Sequence, residues 1–253
     1  MKHPLKKMIQ AEEILEALRS FENEEQRRIL CRFFKTGKGE YGEGDRFLGL
    51  KVPQTRAVVR HARLQVPFAE ISKLLSSEYH EARLAGFLLL VEEMSAALPK
   101  RRNVQPESAA RRREIARFYL ESGHRANNWD LVDLSAPYIL GQYLLHEPEQ
   151  RGVLDKLAAS SNLWENRIAI VSTAALIRAG QFEDTLRIAS LLLPHPHDLI
   201  HKAVGWMLRE VGKRDIDVLR DYLEANSHAM ARTTIRYSIE RMSPSERKHW
   251  LTR

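Results

Sequence analysis

The chain has 253 residues, of which 43% are hydrophobic and 29% charged, a balance typical of folded globular proteins rather than disordered ones. No apolar run approaches the roughly 18 residues that a membrane helix needs, and no apolar signal-peptide core follows the basic start. A single cysteine, Cys31, excludes a disulfide framework and a thiolate zinc site. We therefore expect a monomeric cytoplasmic protein without membrane association. The 40 Lys and Arg residues outnumber the 33 Asp and Glu residues, which favours a polyanionic partner without requiring one.

Helical periodicity dominates the sequence. Apolar residues recur three and four positions apart in segments that each predict a helix, and no stretch alternates as a half-buried strand does. These segments are Ala11–Phe21, Glu24–Phe34, Glu81–Leu98, Arg112–Leu120, Asn128–Leu145, Leu163–Ala179 and Asp198–Val211. In the first two, the predicted core faces are Ile14, Leu15 and Leu18, and then Ile29, Leu30 and Phe33.

The longest irregular segment, residues 36–50, contains five glycines. A loop of this length is often functional, and a flexible surface insertion is an equally good interpretation.

Weak internal similarity indicates a repeat architecture. Segments in which a basic residue precedes small or apolar residues begin at Arg83, Arg167, Lys202 and Arg232, and the last three starts are 35 and 30 residues apart. Such periods suit stacked helix pairs of HEAT type. We therefore predict one all-α domain over residues 1–253, a HEAT-like helical repeat solenoid with a concave surface.

A basic stripe follows one face of the predicted helix that begins at Asp198. Its members, spaced four, three and four apart, are Lys202, Trp206, Arg209 and Lys213. The opposite, core-facing stripe consists of Ile200, Val204, Leu208 and Val211. Spacing alone favours an ordinary solvated face with Trp206 partly buried at a repeat interface, and a wall that binds a polyanion is the alternative. Arg232 and Arg236 repeat the pattern one repeat later. The opposite stripe there, predicted to face the core, consists of Ala231, Ile235, Ser238 and Met242.

Trp129 and Asp133 are four residues apart and share one face of a predicted helix, whose start Asn127 or Asn128 can cap. Asp130 points about a quarter-turn away, and we interpret it as a complement to the helix dipole. Taken alone, Asp133 is better explained as a salt-bridged structural aspartate.

Arg167 opens a segment that is apolar nearly all round, so it must find an anion. Asp133 or Glu165 would be a structural partner, and a phosphate would be a functional one. His195 and His197 flank a proline without a carboxylate or thiolate companion, so we predict no metal site.

Four motifs together resemble the AlkD-type DNA alkylation repair glycosylases over about residues 25–245. They are Phe47–Arg56, Trp129–Asp133, Trp164–Arg167 and Lys202–Glu210. Each motif is weak alone, and their order and spacing are specific.

The resemblance implies a HEAT-like-repeat fold whose concave basic surface binds duplex DNA. It implies hydrolysis of the N-glycosidic bond of cationic N3- and N7-alkylpurines, chemistry that needs no metal or organic cofactor. Carried over by position, the catalytic aspartate falls on Asp133, the cleft tryptophans on Trp129 and Trp206, and the arginine of the site on Arg167. The predicted DNA-binding residues are then Trp206, Lys202, Arg209, Lys213, Arg232 and Arg236.

Two other functions are compatible with this scaffold: a non-catalytic protein that binds DNA structures, and a HEAT-type protein-interaction scaffold. The intact set of Trp129, Asp133 and Arg167 argues against the first. The basic stripes that carry tryptophan argue against the second.

Overall fold

The computed structural model describes residues 8–99 and 106–252. Within these ranges the regular elements are helical, and β-type pairing is limited to one isolated bridge between Arg46 and Tyr79. The predicted all-α fold class is confirmed. None of the helices in the described ranges is long and apolar enough to span a bilayer. The basic start, where the sequence predicts no signal peptide, falls on residues 1–7, outside the described part of the chain.

The chain divides into two compact units, residues 1–135 and 136–253. The first unit contains α1 (Ala11–Arg19), α2 (Glu24–Phe33), α3 (Val52–Ala62), α4 (Phe68–Leu75), α5 (His80–Ala97), α6 (Pro106–Glu121) and α7 (Trp129–Asp133). Helices α1, α3, α4 and α6 all pack against α5. Because residues 84–91 are apolar on every side, α5 is buried along most of its length and forms the core of this unit.

The second unit contains α8 (Leu140–His146), α9 (Val153–Ala158), α10 (Leu163–Ser172), α11 (Ala174–Arg178), α12 (Glu183–Leu192), α13 (Asp198–Gly212), α14 (Ile216–Asn226), α15 (Arg232–Ser238) and α16 (Pro244–Thr252). Helix α13 packs against α10, α12, α14 and α15. A Cβ atom on Gly205 would lie 2.5 Å from Cβ of Tyr237, so the close approach of α13 to α15 requires glycine there. The single domain over residues 1–253 and the concave basic surface stay predictions.

Helices α3, α4, α9, α12, α14 and α16 lie outside the predicted segments. Each spans between 6 and 11 residues, so its apolar period repeats too few times to stand out in the sequence.

The single helix predicted over Asn128–Leu145 is wrong. Helix α7 ends at Asp133, a stretch of turns follows, and α8 begins at Leu140. Pro137 has no backbone N–H to donate and disfavours helical geometry in the residue before it, which accounts for the break. The helix predicted over Leu163–Ala179 is likewise divided, at Thr173, into α10 and α11.

The predicted core face of α1 is confirmed at Ile14 and Leu18, which are both buried. The predicted core face of α2 is wrong, because no residue of α2 is buried. Ile29 is 52% exposed and Phe33 is 61% exposed. The apolar period of α2 is therefore real, but the face it defines lies at the surface.

Candidate active site

Helix α7 is the short element that carries both Trp129 and Asp133. Asn128 precedes it in extended geometry, and its side-chain oxygen accepts a hydrogen bond from the backbone N–H of Trp129 at 2.9 Å, the cap predicted for Asn127 or Asn128. A helix of five residues has too few internal hydrogen bonds to be stable alone. The orientation of α7 is therefore set by what its side chains contact.

A cavity of about 500 Å³ lies within the first unit, bordered by α2, the start of α3, α5 and α7. Its apolar walls are formed by Leu30, Phe33, Phe34, Phe47, Leu50, Val52, Pro53, Leu84, Trp129 and Leu134. Its polar lining consists of Gln26, Lys51, His80, Glu81, Asp130 and Asp133. The half-buried Trp129 and Asp133 thus face one mainly apolar space, as their spacing predicts.

An aromatic cluster fixes the indole of Trp129. The ring of Phe34 is stacked between Phe47, with centroids 5.1 Å apart, and Trp129, at 5.3 Å. The edge of Phe33 meets the indole at 5.9 Å. Phe34 and Phe47 are buried, whereas Phe33 presents most of its ring to solvent beside the cavity. An exposed aromatic ring at the rim of an apolar cavity is typical of a ligand contact.

Beneath this cluster, His80 bridges two aspartates. Its Nδ1 lies 2.8 Å from Asp45 and its Nε2 lies 2.9 Å from Asp130, and all three side chains are buried. Arg83 donates a hydrogen bond to the other oxygen of Asp45. Burial opposes the charged imidazole, but the attraction of Asp130 and Asp45 and the hydrogen bonds to both outweigh it and raise the pKa of His80 to about 9. Burial also opposes ionisation of Asp45, yet His80 and Arg83 hold its pKa below the ordinary value.

The interpretation of Asp130 as a helix-dipole complement is therefore incomplete, since its carboxylate is a buried partner of His80. Asp45, His80 and Arg83 are not among the site residues that the sequence predicts. One signal was available: His80, Glu81 and Arg83 are ionisable residues directly before the wholly apolar run 84–91, and buried charges must find partners.

The second half of the glycine-rich segment is anchored rather than flexible. The carboxylate of Glu81 accepts hydrogen bonds from the backbone N–H groups of Leu48, Gly49 and Leu50 at 2.9, 2.9 and 3.0 Å. Gly49 has φ 95°, and a Cβ atom there would lie 2.0 Å from the carbonyl oxygen of Asn23. Residues 48–50 are therefore held in place and Asp45 is buried, while most of residues 37–44 are exposed.

Arg167 belongs to the second unit and is only 5% exposed. It sits on α10, and its guanidinium donates a hydrogen bond to the carbonyl oxygen of Leu199 at 2.7 Å, beside the start of α13. A backbone carbonyl, which the sequence did not predict, is thus one of its partners. Its assignment to the catalytic site stays a prediction.

The two stripes of α13 lie where the periodicity predicts. Ile200, Val204, Leu208 and Val211 are buried, and Trp206 is half-buried. On the outer stripe the cations pair with carboxylates: Lys202 with Asp198 at 2.7 Å, Lys213 with Glu210 at 2.6 Å, and Arg209 with Glu210 and Glu240. Such solvent-accessible pairs contribute only about 0.2–1 kcal/mol, so a phosphate can displace them.

Arg232 and Arg236 are exposed on α15, which packs against α13. On the side predicted to face the core, Ser238 and Met242 are buried, whereas Ala231 and Ile235 are half-buried. Five of the six predicted DNA-binding residues thus lie on α13 and α15, and Lys213 directly follows α13. Their contact with DNA stays a prediction. No group of three or more His, Cys, Asp or Glu side chains suited to a metal ion occurs within residues 8–99 and 106–252.

Comparison with known proteins identifies the family. The sequence model of the family described as DNA alkylation repair enzyme matches residues 14–242, most of the chain. The chain belongs to this family. A solved structure described as a predicted DNA alkylation repair enzyme from Enterococcus faecalis superposes on this DNA alkylation repair family member with a TM-score of 0.65. The two chains are 14% identical, and the match covers 88% of this chain and 97% of the other, which shows a common helical-repeat fold. Among curated proteins, no match to this sequence is found.

Proposed function

We propose that this family member is a DNA glycosylase that hydrolyses the N-glycosidic bond of cationic N3- and N7-alkylpurines in duplex DNA. The observation that carries the proposal is the cavity of the first unit, in which the carboxylate of Asp133 and the indole of Trp129 face the same apolar space. Membership of the alkylation repair family supports alkylated DNA as the substrate.

The chemistry suits these two side chains. An alkyl group at N3 or N7 makes the purine cationic, so the base leaves with the electron pair of the C1′–N bond and needs little help from a general acid. Positive charge then develops on the sugar, as in the oxocarbenium-like transition state of glycoside hydrolysis. Water adds to C1′ and loses a proton, which leaves an abasic site and the free base.

A carboxylate beside that sugar stabilises the transition state more than the ground state. At about 4 Å and an effective dielectric constant of about 20, the attraction is ~4 kcal/mol. If all of it were specific to the transition state, it would contribute roughly three powers of ten in rate. The face of the Trp129 indole favours the same developing cation through its quadrupole. Asp133 acts as this electrostatic group and is also the candidate to accept the proton of the attacking water.

The basic residues of the second unit are proposed to hold the DNA backbone. Lys202, Arg209 and Lys213 of α13 and Arg232 and Arg236 of α15 would contact phosphates, which fix register without reading sequence. Arg167 would likewise hold a phosphate of the DNA backbone.

The decisive experiment is base release from a duplex that contains one 7-methylguanine. With enzyme in excess, free 7-methylguanine quantified by mass spectrometry and alkali-labile abasic sites should appear together, well above spontaneous depurination. An Asp133→Asn preparation, purified in parallel, controls for contaminating glycosylases. Release no faster than in buffer alone would refute the proposal.

Phe33 offers a separate test of the cavity rim. Because Phe33 is 61% exposed, Phe33→Ala should leave the melting temperature within about 2 °C of the wild type. If the ring packs against DNA, its loss should cost about 1 kcal/mol, which weakens duplex binding roughly five-fold. Fluorescence anisotropy with a labelled duplex measures this change.

Ile29→Ala is the matched control, since Ile29 lies on the same helix, is 52% exposed and does not line the cavity. It should change neither property. Equal weakening by both variants would show that Phe33 has no special place at the rim.

A further inference from the structure

Four buried ionisable side chains form a continuous chain behind the cavity. Asp45, His80, Arg83 and Asp130 are only 1%, 2%, 7% and 8% exposed at their side chains. With the imidazole protonated, two cations balance two carboxylates. Such a balance matters because an unpaired charge in a buried position is strongly destabilising. The arrangement therefore requires a charged His80.

This ionic chain joins three separate segments. Asp45 comes from the glycine-rich loop, His80 and Arg83 from the first turn of α5, and Asp130 from α7. Asn128, the cap of α7, also donates to Asp45 at 3.4 Å. The hydrogen bonds of Asn128 to Asp45 and of Asp130 to His80 thus hold α7 against the loop and α5. These two residues flank Trp129.

Stacked aromatic rings also connect His80 to the indole of Trp129. The imidazole lies 4.4 Å from the ring of Phe47 and 5.1 Å from the ring of Phe34, measured between centroids. Phe34 in turn stacks on Trp129 at 5.3 Å. The ionic chain and the ring contacts therefore both connect His80 to the helix that carries Trp129 and Asp133.

We propose that His80 is a positioning residue: by bridging Asp45 and Asp130 as a cation, it fixes α7, and with it the indole of Trp129 and the carboxylate of Asp133 at the cavity. This inference rests on the proposed glycosylase function. Displacement of a reacting or stabilising group by about 1 Å commonly costs a large factor in rate, so a residue that never touches DNA can control excision.

The proposal predicts a loss in the chemical step rather than in binding. In His80→Gln, the amide reaches one carboxylate and carries no charge, so α7 loses its fixed orientation. Single-turnover excision of 7-methylguanine at saturating enzyme should fall at least ~10-fold, whereas the Kd for undamaged duplex should change less than ~3-fold. Asp130→Asn breaks the same link from the α7 side with a side chain of equal size. The double variant should be little worse than either single variant, because all three changes remove one interaction.

Met94→Ala is the control for lost stability. Met94 is fully buried on the same helix, fourteen residues or about 21 Å from His80. It should lower the melting temperature and leave the excision rate of the folded protein unchanged. If His80→Gln and Asp130→Asn behave as Met94→Ala does, with stability lost and the single-turnover rate kept, His80 is merely structural and the proposal is overturned.

A spectroscopic measurement separates this inference from the proposed function. The indole Nε1–H resonance of Trp129, assigned with a Trp129→Phe variant, should shift in His80→Gln and stay in place in Met94→Ala. If the wild type releases no base, the glycosylase function has failed, and this resonance alone decides the positioning role. A shifted resonance supports a fixed α7, and an unmoved one overturns it.

Discussion

Asp133→Asn is expected to lose excision of 7-methylguanine by at least ~100-fold, the usual effect of removing one aimed electrostatic group from an active site. Asparagine has the same shape, so the half-buried position should stay filled and the fold intact. The negative charge that would stabilise the sugar cation is lost. Duplex affinity, which depends mainly on phosphate contacts, should change little. Single-turnover excision and duplex binding, both measured on the same preparation, test this expectation.

The structural interpretation of Asp133 makes the opposite prediction. If the carboxylate serves only the fold, the asparagine variant should melt at a lower temperature and excise at the normal rate per folded molecule. Asp217→Asn is a suitable control for net charge, because the side chain of Asp217 is 80% exposed on α14. It should excise as the wild type does.

Local patterns in the sequence predict which residues share one face of a helix. Residues of α13 spaced three and four apart fall on a buried face, and Trp206 falls on the other, because helix geometry alone fixes which positions share a side. The pairing of Trp129 with Asp133 on one face of α7 has the same origin. Both features could be predicted without knowledge of the neighbouring helices.

What lies opposite a face is not a local property. Leu30 and Phe33 form an apolar face on α2 just as core residues would, yet they border a cavity and solvent rather than a closely packed core. Periodicity identifies the apolar side and gives no information about the surface that meets it. The break after Asp133 depends on Pro137, whose effect outweighs the helical period on either side of it.

The ionic chain could not be predicted from local sequence patterns either, because its members are distant in the sequence. Asp45 and Asp130 are 35 and 50 residues from His80, so their meeting is set by how the loop and α7 pack on α5. Each aspartate alone resembles an ordinary loop or helix-end residue. In the packed structure the two carboxylates together raise the pKa of one histidine, which makes it a cation at neutral pH.

The free energy of unfolding should therefore decrease as the pH rises from about 6.5 to about 9. His80 has a folded-state pKa of about 9 against an ordinary value of 6.5. The stabilisation from the charged imidazole is fully present below the unfolded value and is lost as the pH rises through the folded value. A difference of this size corresponds to about 3 kcal/mol, at about 1.4 kcal/mol for each pKa unit.

Other groups with shifted pKa values affect the free energy of unfolding outside the range from pH 6.5 to 9. The pKa values of His195 and His197 are lowered by burial, so their effect on stability lies below pH 6.5. The lowered pKa values of Asp45 and Asp198 affect stability at still more acidic pH.

Urea unfolding of the wild type and of His80→Gln at pH 6, 7.5 and 9 isolates the contribution of His80. The stability difference between the two proteins should be largest at pH 6 and should shrink towards pH 9, since the wild type loses there the proton that glutamine never had. Parallel pH profiles would mean that folding does not raise the pKa of His80, and the ionic chain would then lack its charge balance at pH 7.5.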